Sequence, residues 1–136
     1  MQILHIKMAA EFAGVLHITV VSIDEFSDTA GFMDRTDPYV SLTLGDETYK
    51  TTVKDNAGGK NVVFDEKLSF NKQLQENILK VKVYDKDTLS DDFLGERDVD
   101  LNLQDLDGES DDPVPFDIVH KGKVVGKVYL KFDACV

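Results

Sequence analysis

Several features are scarce in this chain of 136 residues. It has one cysteine, Cys135, so an internal disulfide is excluded and a reducing compartment is expected. No apolar run approaches the roughly 20 residues that a membrane-spanning helix needs. The first residues also lack the basic lead and the long apolar core of a secretory signal. These absences predict a cytoplasmic protein.

Basic residues are also few, with 15 lysines and arginines against 26 aspartates and glutamates, a formal net charge of -11. This balance argues against nucleic acid as a partner, because phosphate binding needs a basic surface. It also argues against steady attraction to an anionic membrane unless something cancels the negative charge. The composition, 42% apolar and 30% charged, is that of a globular domain. We expect residues 1–12 to be an N-terminal extension or an added remnant, and residues 13–136 to form one domain.

Apolar residues alternate with polar ones along most of the chain. Leu79, Val81 and Val83, for example, share one face of a predicted strand, while Lys80 and Lys82 share the other. Such alternation is typical of antiparallel strands with one buried face. Helix is expected only as a single turn near Leu103–Leu106 or Gln73–Asn77. The predicted strands are Val15–Ile23, Tyr39–Leu44, Thr48–Val53, Val63–Phe70, Ile78–Tyr84, Leu94–Leu101, Pro115–His120 and Lys127–Phe132. The pattern predicts an all-β protein, an eight-stranded antiparallel β-sandwich.

The order of the strands predicts which loops lie together. Connections after odd-numbered strands of an antiparallel sandwich emerge at one end, so residues 24–37, 54–61 and 85–92 are expected to meet there. Four aspartates fall within the eight positions of the last of these loops. Any one aspartate is readily explained as a turn residue, but several at one end repel one another unless a cation lies between them.

The chemistry of these side chains favours calcium over a softer metal. Calcium takes roughly 6 to 8 oxygen ligands in flexible loops. The three histidines are scattered along the chain and Cys135 has no partner, which argues against zinc. An enzyme is not expected, because no Ser, His and Asp stand in a recognisable triad context and no glycine-rich phosphate loop follows a strand.

Five segments, in order, give the chain a family resemblance. They are GVLHITVVSIDEF at 14–26, DPYV at 37–40, FDEKLSF at 64–70, VYDKDTLSDDFLGE at 83–96 and GKVVGKVYLKF at 122–132. Together they resemble a C2 domain over residues 14–133, in the style of the small single-domain C2 proteins of plants. The first and last of these segments are similar to the first and last strands of the phospholipase-C-like strand order, also called type II topology.

The resemblance implies calcium ligands on the first and third loops of that end. The family often has a ligand where this chain has Gly31, so Asp28 or Asp34 is expected to replace it. The third loop is slightly short, which leaves Asp91 as a substitute for Asp92. The candidate metal ligands are Asp28, Asp37, Asp85, Asp87 and Asp92.

The resemblance also implies a function: calcium-dependent binding to anionic phospholipid membranes by a peripheral targeting or signalling module. Phe32, Met33 and Leu89, at the loop tips, are the expected membrane contacts, while Phe93 is expected to pack beneath its loop. Glu66 matches a structural position of the family, so we expect its carboxylate to bond loop backbone. The protein would be cytoplasmic and would reach the membrane when calcium binds.

A second hypothesis belongs to a different class. Gly31, at the first ligand position, favours a calcium-independent C2-type module that binds a protein partner. Calcium titration distinguishes the two hypotheses.

Overall fold

The computed structural model describes residues 12–26, 36–108 and 111–135. These residues form eight antiparallel strands and one short 3₁₀ helix, which confirms the predicted all-β sandwich. Within these three ranges no helix is long and apolar enough to cross a membrane. The strands are β1 (Gly14–Asp24), β2 (Pro38–Leu44), β3 (Glu47–Lys50), β4 (Val62–Lys72), β5 (Ile78–Asp85), β6 (Asp92–Asp100), β7 (Val114–His120) and β8 (Lys123–Cys135).

The strands form two layers of four. One layer has the order β3-β2-β5-β6 and the other has the order β7-β8-β1-β4. The layers are joined at one side through β6 and β7, where Glu96 pairs with Val119. The first strand therefore lies between β8 and β4, as the phospholipase-C-like strand order requires.

The core lies between the two layers and follows the alternation of the sequence. Leu79, Val81 and Val83 of β5 are fully buried, while their neighbours Lys80 and Lys82 face outward. Each fully buried side chain of this kind contributes about 1.5–3 kcal/mol relative to an exposed one. Phe12, just before β1, also packs into the core, and the ammonium of Lys72 lies 4.9 Å from its ring centroid.

Several elements differ from the predicted bounds, most of all β8, which extends beyond the predicted Lys127–Phe132 at both ends. Two of the differences arise because side chains replace backbone bonds. Strand β3 ends at Lys50, before the predicted Val53, since the Thr51 hydroxyl accepts a hydrogen bond from the Val40 N–H at 3.0 Å. The helical turn lies at Leu101–Leu103, two residues earlier than predicted, because Asp100 caps it by accepting from the Asn102 N–H.

The odd-numbered connections share one end of the sandwich, as the strand order predicted. We call this the aspartate end; it contains the described ends of loop 1 (25–37), which are residues 25–26 and 36–37, together with loop 2 (51–61), loop 3 (86–91) and the β7–β8 turn (121–122). The described parts of the loops are joined by backbone bonds: Gly58 N–H donates to Thr36 O at 3.1 Å and Lys86 N–H to Asp37 O at 3.0 Å. The even-numbered connections, 45–46, 73–77 and 101–113, lie at the opposite end.

Candidate metal and membrane site

Three strand termini place three of the predicted ligands side by side. Asp85, the last residue of β5, pairs with Pro38 on one side and with Asp92 on the other. Asp37 directly precedes Pro38, and its N–H donates to the Asp85 carboxylate at 2.9 Å. The antiparallel register thus brings Asp37, Asp85 and Asp92 together from two loops that are far apart in sequence.

Loop 2 supports this cluster through its backbone. The Asn56 N–H donates to the Asp37 carboxylate at 2.5 Å, and the Lys54 N–H donates to the Pro38 carbonyl at 3.0 Å. Asn56 adopts a positive φ of 55°, a conformation that asparagine tolerates better than most residues. Sequence reasoning missed Asn56, although an asparagine in a turn-rich loop is the available signal for such a conformation.

The carboxylates repel one another at Asp85. Burial raises the pKa of Asp85, and the charges of Asp37, Asp92 and Asp87 raise it further, while the hydrogen bond from Asp37 N–H acts in the opposite direction. The ionised form of Asp85 is therefore disfavoured by its surroundings. A bound cation would remove this penalty, and an all-oxygen cluster on loops is a donor set that suits calcium.

Asp91 has a structural role in this arrangement of loop 3. It accepts hydrogen bonds from the Tyr39 hydroxyl and from the Asp87 N–H, and Lys86 Nζ lies 3.7 Å from its Oδ1. The hydrogen bond from Tyr39 lowers the pKa of Asp91 most, and the bond from the Asp87 N–H and the charge of Lys86 lower it further. Burial and the bond to Asp91 raise the pKa of Tyr39 above its ordinary value. Asp91 is thus held by its neighbours, and Asp92 is the carboxylate beside Asp85.

Tyr39 is a residue that the sequence reasoning missed at this site. Its ring stacks on Tyr84 with centroids 5.3 Å apart, on the outward face of the sheet, while its hydroxyl reaches loop 3. The available signal was parity: Tyr39 alternates with the inward-facing Val40 and Leu42, so it faces the same side as Tyr84.

The remaining predicted ligands are less well defined. The Asp87 carboxylate turns to its own loop and accepts from the Thr88 N–H at 2.6 Å. Among the residues that the structure describes, no three carboxylate, histidine or cysteine side chains form a group able to hold a metal ion. Asp28, Phe32 and Met33 lie outside the described residues, so their assignments, and the ligand set as a whole, stay predictions.

The tip and base of loop 3 differ in exposure. Leu89 at the tip is 96% exposed, which leaves it available for contact with another surface. Phe93 at the base is 37% exposed and packs edge-on against Tyr84 and His120, with centroids 5.7 and 5.6 Å away. The contacts of Phe93 are thus with rings on β5 and β7, and its packing beneath loop 3 stays a prediction.

Glu66 holds loop 2 against β4. Its two carboxylate oxygens accept hydrogen bonds from the Thr52 N–H at 2.9 Å and from the Thr52 hydroxyl at 2.6 Å. The predicted bonding of this carboxylate to loop backbone is confirmed, and the side chain is half-buried rather than fully buried.

A match to a known protein family agrees with the fold and with the arrangement of the loops described above. The family model of the C2 domain matches residues 14–118 of this chain. The chain belongs to the C2 domain family. This assignment confirms the resemblance carried by the sequence motifs, and C2 domains are among the solved structures that share this fold.

The chain is similar to two curated proteins of Arabidopsis thaliana over part of their length. It is 33% identical to 16 kDa phloem protein 1 over 91 residues, which are 63% of this chain and 58% of that protein. It is 43% identical to Multiple C2 domain and transmembrane region protein 8 over 67 residues, which are 48% of this chain and 7% of that protein. The chain therefore spans less than two thirds of either relative.

A solved C2 domain-containing protein shares the fold over nearly its whole length. The TM-score is 0.75 at 26% sequence identity, and the alignment covers 90% of this chain and 89% of that one.

Proposed function

We propose that this C2 domain binds anionic phospholipid membranes in a calcium-dependent way and serves as a peripheral targeting or signalling module. The observation that carries the proposal is the crowding at Asp85, whose carboxylate is held beside Asp37 and Asp92 and has a raised pKa. Asp37, Asp85, Asp87 and Asp92 would hold the ion, with Asp28 completing the set.

Bound calcium would supply positive charge and open coordination positions for lipid phosphate oxygens. The protein's own contribution is to fix the carboxylates: the bond from Asp37 N–H orients Asp85, and the bond from Asn56 N–H orients Asp37. Without an ion, the same carboxylates would repel an anionic leaflet. The change of charge at this end when calcium binds would thus switch the domain from repulsion to attraction by an anionic membrane.

Apolar side chains at the loop tips would add to the attraction. Leu89, 96% exposed, could bury its side chain in the membrane interface, a gain of about 1.5–3 kcal/mol. Phe32 and Met33 on loop 1 are proposed to act with it. The name of one relative places C2 domains and a transmembrane region in one protein, which supports a membrane setting. The domain would be cytoplasmic and join the membrane when calcium rises.

The test is sedimentation with phosphatidylserine vesicles in calcium and in chelator, together with thermal unfolding in both. At a calcium concentration a hundredfold above Kd, the folded state should gain about 2.7 kcal/mol. Asp85→Asn with Asp87→Asn should abolish both responses. The matched control is Asp105→Asn with Asp107→Asn at the opposite end, which removes the same charge and should change neither. Equal vesicle binding with and without calcium would contradict the switch.

Leu89→Ala separates the lipid step from the ion step. We expect about tenfold weaker vesicle binding, the lower limit for losing one leucine-sized contact. The calcium-induced rise in the thermal midpoint should be unchanged, because the side chain of Leu89 carries no oxygen that could bind calcium. An unchanged affinity for vesicles would exclude Leu89 as a membrane contact.

A calcium-independent protein-interaction module is the alternative. The observation in its favour is that, over residues 12–26, 36–108 and 111–135, no three ligating side chains stand together ready for a metal. A thermal midpoint that millimolar calcium leaves unchanged would make this the better explanation.

A further inference from the structure

The β7–β8 hairpin has a charge unlike that of the rest of the chain. Residues 118–132 contain four lysines, one histidine and no carboxylate, in a protein where acidic residues outnumber basic ones by 26 to 15. The turn of this hairpin emerges at the aspartate end, beside the three loops described above. A local basic segment is thus placed at the end that is proposed to face a membrane.

The tip of the hairpin is a tight and open turn. Lys121 and Gly122 have positive φ values of 51° and 78°, which is the conformation of a two-residue hairpin turn that matches strand twist. No atom lies within 4 Å of the position that a Cβ would take at Gly122, so solvent surrounds the tip. Val124, which pairs with Val119 at the end of the ladder, is 60% exposed.

The two lysines of the tip form no salt bridge with the residues that the structure describes. Lys86 lies near Asp91 and Lys127 near Glu25, at 3.7 and 3.5 Å. Lys121 and Lys123 are exposed, and neither makes a salt bridge with any residue in the described part of the chain. Their charges are therefore available to an external anion.

The tip is also connected to loop 3. His120, one residue before the turn, packs against Phe93 with ring centroids 5.6 Å apart, and Phe93 lies at the base of the loop that carries Leu89. The exposed apolar side chains at the aspartate end include Leu89 and Val124, and the exposed Lys121 and Lys123 lie beside Val124 in sequence.

We propose that the hairpin tip, residues 121–124, is a second membrane contact that binds anionic lipid headgroups without calcium. Lysines on flexible stems are attracted to the surface of an anionic leaflet. The exposed Val124, which follows Lys123 at the start of β8, can enter the membrane interface. This combination of charge and apolar area favours a lipid surface over an acidic protein. The inference rests on the proposed membrane function and assigns it a calcium-independent component.

The first experiment measures binding to phosphatidylserine vesicles in chelator at low ionic strength. Lys121→Gln with Lys123→Gln should weaken binding about 25-fold, because each lysine near an anionic surface contributes roughly fivefold. The control is Lys67→Gln with Lys80→Gln, two exposed lysines on the sheet faces, which lowers the net charge equally. It should weaken binding no more than about twofold. Phosphatidylcholine vesicles should bind none of these proteins measurably.

The second experiment places a probe at the tip. Val124→Cys in a Cys135→Ser background, labelled with an environment-sensitive fluorophore, should show a blue shift on phosphatidylserine vesicles in chelator. A label at Lys67→Cys in the same background should show none. Thermal unfolding of each variant in solution checks that the fold is kept.

The outcomes separate the hairpin from the calcium switch. Equal binding in calcium and chelator would contradict the switch while leaving the hairpin comparison intact. Equal binding of the hairpin variant and its control would overturn the hairpin proposal, whatever calcium does. A wild-type protein that binds polyglutamate but no vesicle would assign the tip to an acidic protein partner and also overturn it.

Discussion

The two ends of the sandwich are both acidic, yet their carboxylates do different things. At the opposite end, three carboxylates bond to backbone a few residues away, and one, Glu47, accepts from the Asn71 N–H at 2.7 Å. Glu76 accepts from Gln73 N–H, Asp100 from Asn102 N–H and Asp105 from Asp107 N–H. Each of these bonds closes a turn or caps a short helix, so the charge is explained locally.

At the aspartate end, the bonds join separate parts of the chain. The bond between Asp37 and Asp85 spans 48 residues, that between Asn56 and Asp37 spans 19, and that between Tyr39 and Asp91 spans 52. The raised pKa of Asp85 belongs to this end. Convergence of carboxylates from distant segments, rather than their number, therefore marks the candidate site.

The largest expected effect comes from removing the aromatic support beneath the aspartate end. Phe26 is 1% exposed and lies over Gly126, where a Cβ would come within 2.4 Å of its ring. Its N–H also donates to Gly59 O of loop 2. Phe26→Ala should cost about 3–5 kcal/mol of unfolding free energy, measured by urea denaturation.

The control at the opposite end is Leu103→Ala, since Leu103 is 77% exposed. Its cost should stay within about 0.5 kcal/mol, as for most surface substitutions. Similar costs for Phe26→Ala and Leu103→Ala would show that the core does not support the two ends differently.

An intermediate effect is expected where a carboxylate fastens loop 2. Glu66→Ala removes both bonds to Thr52 and should cost about 1–2 kcal/mol in the same measurement. Glu66→Gln keeps one acceptor and should cost less. If Glu66→Ala costs no more than Glu66→Gln, the bonds to Thr52 add nothing measurable and loop 2 is held by its backbone contacts.

The smallest expected effect concerns how the stability of the calcium-free protein depends on pH. The pKa of Asp85 is raised in the folded state. The contribution of Asp85 to the free energy of unfolding is therefore fully present below the ordinary pKa of aspartate, and it is lost as the pH rises through the raised pKa. Asp85→Asn should therefore raise the thermal midpoint at neutral pH in chelator and flatten its dependence on pH. Asp105→Asn, at the opposite end, should do neither. A lower midpoint for Asp85→Asn at neutral pH would contradict the crowding.

The fold was predictable because alternation and strand parity act along the whole chain. The inward faces of β1, β2 and β5 follow directly from apolar residues two positions apart. Strand ends were harder, since a single side chain can replace a backbone partner. Thr51 does this at the end of β3, and Asp100 does it at the start of the 3₁₀ helix.

The proximity of Asp37 and Asp85 was predictable from the sequence, while the hydrogen bonds around them were not. Parity and motif position both indicated that Asp37 and Asp85 would meet. Nothing in the sequence stated that Asp91 would be held by Tyr39 and Lys86 while Asp92 stands beside Asp85, because loop conformation decides which neighbours each of two adjacent carboxylates contacts. The basic hairpin tip was visible as a run without carboxylates, but its exposure and its neighbours required coordinates.

The position of β1 between β4 and β8 has a consequence for biosynthesis. Val15 of β1 pairs with Cys135 of β8, and Leu16 pairs with Ala134. This edge of β1 therefore stays unpaired until β8, the last strand of the domain, has left the ribosome. Until then, one hydrogen-bonding edge of β1 stays open to other chains, a hazard for slow, non-local β topologies. Folding of the domain should therefore complete only after β8 has left the ribosome, and ribosome-bound chains stalled before residue 123 should be protease-sensitive in β1.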